Sequence, residues 1–304
     1  MITIIGSGSD IDTIHGFLAG VYAKELSLLG YQVQIQERDN PRKIQKSDLV
    51  IVQDIDPTKA SFLDWLVMNR TKDKVVLCTQ DNFWGGWNPE PDIPYVDFVV
   101  EAYHSGAVDH IVASTLEGYE AYKRAKCETS FMCPVGAPSW WIDKIENIEI
   151  EKAEYDIICI GNKYNRRHEF QEQFLEPLRA AGFSVLCTGE GYEYGITKFS
   201  NLKDLIRKGK LVLAVTTPIT RNFTNFCTGR VFTGPAAGRV TIATYFRHTP
   251  GFLDVSYHLA TPDNVVDIAR YYLHNYTDIL IDQIRCVEER HLYKHRVEEL
   301  LRLA

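Results

Sequence analysis

The segment that decides the fold is residues 217–238, which read Thr217-Pro-Ile-Thr-Arg-Asn-Phe-Thr-Asn-Phe-Cys-Thr-Gly-Arg-Val-Phe-Thr-Gly-Pro-Ala-Ala-Gly238. Apolar runs at residues 211–215 and 240–243 flank it, and each has the length and residue types of a buried parallel strand. The first half of the segment is polar and contains turn formers, which predicts a loop after the first strand. The second half, from Gly229, is rich in small residues and predicts a short helix. We therefore expect a parallel sheet with a ligand site at this strand end.

The start of the predicted short helix has the features of an anion site. Thr228, Gly229 and Arg230 stand there, and the loop before them contributes Arg221. Backbone N–H groups at a helix start, together with arginine side chains, favour a bound negative charge. We interpret the segment as the phosphate end of a nucleotide site.

Strand-like and helix-like runs alternate along the whole chain, in two series. The first series ends at the proline-containing residues 134–138, and the second begins with an apolar run at residues 155–160. This alternation predicts the α/β class, with two Rossmann-like, doubly wound parallel-sheet domains and a cleft between them. We predict domains at residues 1–138 and 155–304, joined by a linker at residues 139–154.

The composition is that of an ordinary globular protein, with 45% hydrophobic and 24% charged residues. No apolar run approaches the roughly 20 residues of a membrane-spanning helix. The first residues lead directly into a strand, so we predict neither a membrane span nor a signal peptide. The seven cysteines form no Cys-x-x-Cys pair. They favour buried, reduced thiols and a cytoplasmic location over a disulfide framework or a zinc site.

The net charge of −7 is unevenly divided along the chain. Residues 1–150 contain 13 Lys and Arg against 22 Asp and Glu, a charge of −9. Residues 151–304 contain 20 against 18, a charge of +2. This distribution favours an anionic ligand held mainly by the second half. It argues weakly against a large nucleic-acid interface, which usually requires a clearly basic domain.

A second basic segment follows the first strand of the second series. It reads Gly161-Asn-Lys163-Tyr-Asn-Arg166-Arg167 and leads into a predicted helix. Paired arginines at a helix start can clamp a diphosphate through bidentate hydrogen bonds. Arginine in a first helical turn is otherwise unfavourable against the helix dipole, which favours binding over a merely solvated face.

Asp81 is the candidate catalytic residue of the first half. It follows the fourth predicted strand, with Trp84, Trp87 and two glycines close behind it. A lone carboxylate at a strand's carboxyl end can act as general base toward an acceptor hydroxyl. The tryptophans could form a platform for a sugar or a base. A turn aspartate beside packed tryptophans explains the same residues equally well.

The first predicted loop offers weaker signals. Gly6-Ser7-Gly8 begins like a dinucleotide-binding fingerprint, but Ile11 stands where the third glycine would fall. A nicotinamide or flavin site is therefore disfavoured. Gly8 fits the floor of a cleft in any doubly wound enzyme, and His15, early in the first helix, could reach that cleft or pack beneath it.

Metal-type spacings occur in three places. The Asp-x-Asp pairs at residues 10–12 and 54–56 have the spacing of Mn²⁺ or Mg²⁺ ligands, although helix capping and strand ending explain them more simply. His291 and His295 are spaced i, i+4, but the basic residues around them favour a solvated helix face. We predict no metal site.

The second half resembles the donor-binding domain of GT-B glycosyltransferases, particularly the spore-maturation-protein-like group and the bacteriophage DNA β-glucosyltransferases. The matching features are residues 156–161 with the two arginines after them, and Thr228-Gly-Arg-Val-Phe232 before a small-residue helix. The closing helix around residues 291–296 looks like the family's last helix, which packs back toward the first domain. In the first half, residues 76–81 resemble the segment with the catalytic base of the phage enzymes.

This resemblance implies a glycosyltransferase that moves a sugar from a nucleotide-sugar donor, with UDP-sugar favoured, to an acceptor hydroxyl. Asp81 would then be the base of an inverting displacement. The fold normally requires no cofactor, so a divalent metal is not expected. The family commonly has a ribose-binding glutamate where this chain has Thr233. The implied donor-binding residues are Gly161, Lys163, Arg166, Arg167, Arg221, Thr228, Gly229, Arg230 and Thr233, and the acceptor-side residues are Gly8, His15, Trp84 and Trp87.

The acceptor is open at this point. A hydroxymethylated base in phage DNA is attractive because the phage enzymes act on it, and Trp84, Trp87 and Tyr95 could stack against a flipped base. The acidic first half favours a saccharide, a cell-surface acceptor or a small molecule instead. Two other classes are a nucleotide-sugar epimerase and a non-catalytic nucleotide-binding module, and Thr233 keeps the second of these open. The oligomeric state is not indicated.

Overall fold

The structure is a computed structural model of the 304-residue chain. It describes residues 1–6, 12, 17–38, 44, 47–53, 60–69, 74–79, 93–148, 150, 152–161, 167–216 and 223–304. For residues 17, 60, 93, 94 and 167–169 it describes the backbone alone. The chain divides into two compact units: unit 1 comprises Met1–Pro134 and Tyr293–Ala304, and unit 2 comprises Val135–Leu292.

Unit 1 is built on a parallel sheet of six strands in the order β2-β1-β3-β4-β5-β6. Ile2–Gly6 and Leu49–Gln53 are buried along their whole length, because helices cover both faces of a parallel sheet. The strands are β1 Ile2–Gly6, β2 Val33–Glu37, β3 Leu49–Gln53, β4 Lys74–Cys78, β5 His110–Ala113 and β6 Thr129–Phe131, and the helices are α1 Phe17–Leu28, α2 Ala60–Asn69, α3 Ile93–His104 and α4 Leu116–Arg124.

Unit 2 has a parallel sheet of four strands in the order β10-β9-β7-β8. The short helix predicted between the two flanking strands is present as α7, and the flanking strands themselves are β9 and β10. The strands are β7 Tyr155–Ile160, β8 Val185–Thr188, β9 Gly209–Ala214 and β10 Val240–Ala243, and the helices are α5 Arg167–Ala180, α6 Phe199–Arg207, α7 Arg230–Ala236, α8 Val265–His274 and α9 Tyr276–Arg290.

These two parallel sheets with interleaved helices confirm the predicted α/β class. The apolar runs that predicted strands are buried on both faces, as in Leu211, Val212 and Leu213 of β9, none of which is accessible to solvent. In α7, every residue after Arg230 is buried. A helix of small residues such as Gly234 and Ala236 allows this close packing: a Cβ added at Gly234 would lie 2.0 Å from Oγ1 of Thr241 in β10.

The division into units differs from the predicted domain boundaries at both ends. Residues 135–154 belong to unit 2, where Trp141 stacks on Phe199 of α6 with ring centroids 5.0 Å apart. The last helix, α10 Tyr293–Leu301, is grouped with unit 1, because it packs on α1 through Tyr22 and Tyr293. The sequence-based assignment of an acceptor side and a donor side stays a prediction.

Within the described residues, we find no helix with the length and hydropathy that a membrane crossing requires.

Candidate functional site

The carboxyl ends of the strands of unit 2 lie at one edge of its sheet, since all four strands are parallel. Gly161 follows β7 at this edge and donates its N–H to the carbonyl oxygen of Thr188 in β8, at 2.9 Å. Gln171 of α5 packs against it so closely that a Cβ at Gly161 would lie 2.2 Å from Nε2 of Gln171. Glycine therefore lets α5 approach the end of β7 at the start of the predicted donor loop.

Arg230 belongs to the same edge. Its Nη1 donates to Oγ1 of Thr228 at 3.1 Å, which orients the guanidinium beside the start of α7. Its charge also acts on Cys159, the fifth residue of β7. The hydrogen bond to Cys187 raises the pKa of Cys159 most, burial adds to this, and Arg230 opposes both. Gly161, after β7, and Arg230, at the start of α7, thus lie at the same edge of the unit 2 sheet.

Three backbone N–H groups at the start of α7, where the sequence predicts an anion site, already donate hydrogen bonds to nearby carbonyl oxygens. The N–H of Val231 bonds to the carbonyl oxygen of Thr228 at 3.1 Å, and the N–H groups of Phe232 and Thr233 bond to that of Gly229 at 3.1 and 3.0 Å. Open space lies at Gly229, because a Cβ there would meet no atom within 4 Å. The side chain of Thr233 is 7% exposed, which leaves it little access to a ribose.

Thr216 is a residue that the sequence analysis missed. It lies two residues after the end of β9, is fully buried, and donates its N–H to Oγ1 of Thr244 at 2.8 Å. Among the residues that the structure describes, its own Oγ1 has no hydrogen-bond partner. A buried hydroxyl without a partner is costly, so its position just before the deciding segment is a signal of a functional strand end. A threonine in an apolar strand gives no such signal in the sequence.

The corresponding strand ends of unit 1 enclose a small cavity of about 20 Å³. Its chemistry differs from that of unit 2, since none of the described residues that line it is charged. Gln53, at the end of β3, is 8% exposed, and its Nε2 has no hydrogen-bond partner in the part of the chain that the structure describes. The lining residues are Leu18, Tyr22, Gln53, Cys78, Thr79, Val112, Ser114, Met132 and Pro134.

The two titratable groups of this cavity are held neutral by burial. Burial raises the pKa of the Cys78 thiol to about 12 and that of the Tyr22 hydroxyl well above its usual range. Thr79, two residues before Asp81, is fixed by a hydrogen bond from its N–H to the carbonyl oxygen of Val112 at 2.9 Å. The described residues that line the cavity are therefore mostly apolar and uncharged at neutral pH.

Several predicted site residues lie outside the described part of the chain. The backbone of Arg167 begins α5, and its side chain is not described. At least one aspartate of each Asp-x-Asp pair also lies outside the described residues. Among the residues that the structure describes, no three or more potential metal ligands form a cluster. The predicted site residues outside the described part are Gly8, His15, Asp81, Trp84, Trp87, Lys163, Arg166 and Arg221.

Two sequence-based interpretations were wrong. Tyr95 cannot stack on a base, because it is 1% exposed in the apolar core of unit 1. His291 is not on a solvated face: it is 3% exposed, lies between α9 and α10, and stacks on Phe232 with ring centroids 4.1 Å apart. Its Nε2 also lies 2.6 Å from the carbonyl oxygen of Phe252. The histidine therefore anchors α7 rather than facing water.

Comparisons with known proteins agree with this geometry. The family model "Glycosyl transferase-like" matches residues 166–302, which include α5, α7 and the deciding segment. The structure of T4 phage BGT with UDP-glucose matches with a TM-score of 0.64 and 14% identity over 98% of this chain and 96% of that one. The chain has the GT-B fold. A search of curated protein sequences finds no match.

Two further structures extend the GT-B comparison. An α-glucosyltransferase in complex with UDP and a 13-mer DNA containing an HMU base matches with a TM-score of 0.67 and 8% identity, over 99% and 98% of the two chains. A glycosyltransferase from Rickettsia africae matches with a TM-score of 0.60 and 12% identity, over 99% and 97%. The predicted GT-B resemblance is confirmed, and the family model and the structures together support a glycosyltransferase enzyme.

Proposed function

We propose that this protein transfers a sugar from a UDP-sugar to a hydroxymethylated base in DNA. The observation that carries the proposal is the likeness of nearly the whole chain to two enzymes, T4 phage BGT in complex with UDP-glucose and an α-glucosyltransferase in complex with UDP and DNA. The glycosyl transferase-like match over residues 166–302 supports a donor site in unit 2.

The donor's diphosphate would bind at the edge of unit 2 that includes both Gly161 and Arg230. Arg230 is oriented by Thr228 and offers a positive charge beside the open space at Gly229. A guanidinium stabilises the diphosphate leaving group as its negative charge develops. We propose that Lys163, Arg166, Arg167 and Arg221 add to this charge. We propose that Thr216 positions the end of β9 beside the donor, through the hydrogen bond from its N–H to Oγ1 of Thr244.

Asp81 would act as the general base. Its carboxylate would take the proton of the acceptor hydroxyl while the acceptor oxygen bonds to the anomeric carbon of the sugar. The bond from that carbon to the diphosphate breaks in the same step, so UDP leaves and the configuration inverts. Thr79 supports this role, since its hydrogen bond to Val112 fixes the chain two residues before Asp81.

We propose that the reaction requires no metal, although one similar structure is that of T4 phage BGT with UDP and Mn²⁺. Arginines can neutralise a diphosphate without a cation. Activity that survives a chelator would support this part, and activity that returns only with Mn²⁺ or Mg²⁺ would reject it. We also propose a cytoplasmic location, since all seven cysteines are free thiols, as reducing compartments favour.

The first test is a thermal-shift comparison of UDP, GDP, CDP and ADP sugars, because a bound donor stabilises the folded state. Transfer is then measured by mass spectrometry on a duplex with 5-hydroxymethylcytosine, and the matched control is the same duplex with 5-methylcytosine. We expect hexose or pentose mass only on the first duplex. Absence of a shift with every donor would reject the proposal, and proton NMR of the product would test inversion.

A saccharide or small-molecule acceptor is the second candidate. The charge of −9 in residues 1–150 favours it, since DNA binding depends on neutralising phosphates. The described residues around the small cavity at Gln53 carry no charge, which fits a neutral acceptor better than a DNA phosphate. A donor-induced shift without transfer to either duplex, followed by transfer to a saccharide library, would select this candidate.

A further inference from the structure

Two cysteines of unit 2 face each other across adjacent strands. Cys159 in β7 is the register partner of Cys187 in β8, so the pleat directs both side chains to the same face of the sheet. Their thiols are hydrogen-bonded to each other. Cys159 is 1% exposed, whereas Cys187, on the edge strand, is only partly buried. Cys187 is therefore more accessible to a reagent than Cys159, which lies beside it in the interior.

Arg179 completes this arrangement from α5. Its Nη2 donates to Sγ of Cys187 at 3.4 Å, and its Nη1 donates to Glu172 at 2.6 Å, which holds the guanidinium in place. The hydrogen bond from Cys159 lowers the pKa of Cys187 most, and the charge of Arg179 lowers it further. Burial and Glu172 oppose this. Two donors and a positive charge thus stabilise the Cys187 thiolate.

The described surroundings of Cys127 and Cys286 differ from those of Cys187. Burial raises the pKa of Cys127 and of Cys286, and no arginine donates to either sulfur in the described hydrogen bonds. The other charged or titratable groups near the pair are Tyr192, after β8, and Arg230, which acts on Cys159. The environment of Cys187 therefore favours a nucleophilic thiolate at an accessible strand edge.

We propose that Cys159 and Cys187 form a reactive dithiol, a modification site that hydrogen peroxide converts to a disulfide. The Cys187 thiolate attacks a peroxide oxygen, the O–O bond breaks, and a sulfenic acid and one water result. The Cys159 sulfur then attacks the Cys187 sulfur, the S–O bond breaks, and a second water leaves. The two thiols lose two electrons and two protons, and the peroxide is reduced to two waters.

The proposal is independent of the proposed sugar transfer, because it uses no donor or acceptor. It has a direct readout, since trypsin separates the two cysteines into peptides 153–163 and 180–198. After treatment of the folded protein with stoichiometric hydrogen peroxide, we expect these peptides to be linked, at a mass two hydrogens below their sum. Absence of the linked peptide, with Cys187 oxidised no faster than Cys127, would overturn the proposal.

A variant resolves the order of the two steps. Cys159→Ser removes the second sulfur, so oxidation should stop at a sulfenic acid on Cys187, which dimedone traps in peptide 180–198. If dimedone instead labels another cysteine, the assignment of Cys187 as nucleophile is wrong. Circular dichroism checks that the variant is folded, and the wild-type linkage experiment stands without it.

The role of Arg179 is tested by the rate of alkylation. Arg179→Gln should slow the reaction of Cys187 with iodoacetamide at pH 7 by about threefold to tenfold and raise the midpoint of its pH profile. Arg285→Gln is the matched control, because Arg285 is an exposed arginine of the same unit that pairs with Asp282. Equal rates in wild type and Arg179→Gln would reject the thiolate-stabilising role.

Discussion

The strand ends of the two units differ in chemistry although both sheets are parallel. In unit 2 the edge at Gly161 combines an arginine, open space at Gly229 and a buried hydroxyl at Thr216. In unit 1 the edge encloses a small cavity lined by an amide, a neutral thiol and apolar side chains. We therefore propose that this architecture provides an anion site for the donor in unit 2 and a neutral site for the acceptor hydroxyl in unit 1.

The largest expected effect is that of Asp81→Asn, which tests the reactive chemistry of unit 1. Loss of the general base should reduce transfer by roughly 10²- to 10⁴-fold. The affinity for UDP-sugar should stay unchanged, since the donor edge belongs to unit 2. Initial rates by mass spectrometry and donor binding by calorimetry measure the two quantities. Asp97→Asn, at an exposed position of α3, is the control, and equal rates for the two variants would reject Asp81 as base.

Arg230→Gln tests the anion site of unit 2. Removing one charged hydrogen-bond donor should weaken UDP binding by about 1.5–3 kcal/mol, on the order of 10- to 100-fold. Arg270→Gln, at an exposed position of α8, should bind UDP as the wild type does. If Arg230→Gln bound UDP normally but lost affinity for the acceptor, the proposed assignment of the donor to unit 2 would be wrong.

Two glycines of the donor edge should respond differently to alanine. Gly161→Ala should lower the free energy of unfolding by about 1–3 kcal/mol, because its Cβ would lie 2.2 Å from Nε2 of Gln171. Gln171 is 4% exposed, and its Oε1 accepts a hydrogen bond from the Tyr192 hydroxyl at 2.8 Å, so its amide has little room to move.

Gly229→Ala is the matched control, since its Cβ meets no atom within 4 Å and its φ is −56°. Its free energy of unfolding should stay within about 0.5 kcal/mol of wild type. Urea denaturation measures both variants. Equal losses would mean that the close approach of α5 to Gly161 is not what stabilises this edge.

Local sequence patterns carried most of the information on the fold. The apolar runs of β9 and β10 and the small residues between them predicted strand, helix and strand, because burial on both faces leaves a continuous apolar pattern. The register of Cys159 with Cys187 could not be predicted, since 28 positions separate these residues and only the pairing of β7 with β8 brings them together.

Residues whose burial depends on contacts between distant elements were the ones misjudged. The basic neighbours of His291 suggested a solvated helix, yet the residue lies in the break between α9 and α10 and stacks on Phe232, 59 positions away. Tyr95 resembles a binding aromatic in sequence but lies on the core face of α3. The arginines and glycines of the candidate site could be predicted because their residue types suggest an anion site. Thr216 and Gln53 became candidates only because the structure shows that they are buried.

Gln53→Met tests the neutral edge of unit 1 and has the smallest expected effect. Because the Nε2 of Gln53 has no partner, replacing the amide by a thioether should leave the free energy of unfolding unchanged or raise it by up to about 1 kcal/mol. The KM for the acceptor should nevertheless rise by about threefold to tenfold, since a neutral hydrogen-bond donor is lost.

Gln32→Met, at an exposed position before β2, is the control for both quantities in the same unit. A variant that became clearly less stable would mean that the amide supports the fold rather than a ligand. A variant with unchanged stability and a raised donor KM would assign the neutral cavity to the sugar nucleotide. Both edges would then bind the same ligand, the donor, at different places. A raised acceptor KM alone supports the proposed division between the two edges, because it would show that the Gln53 amide contributes to acceptor binding and not to donor binding.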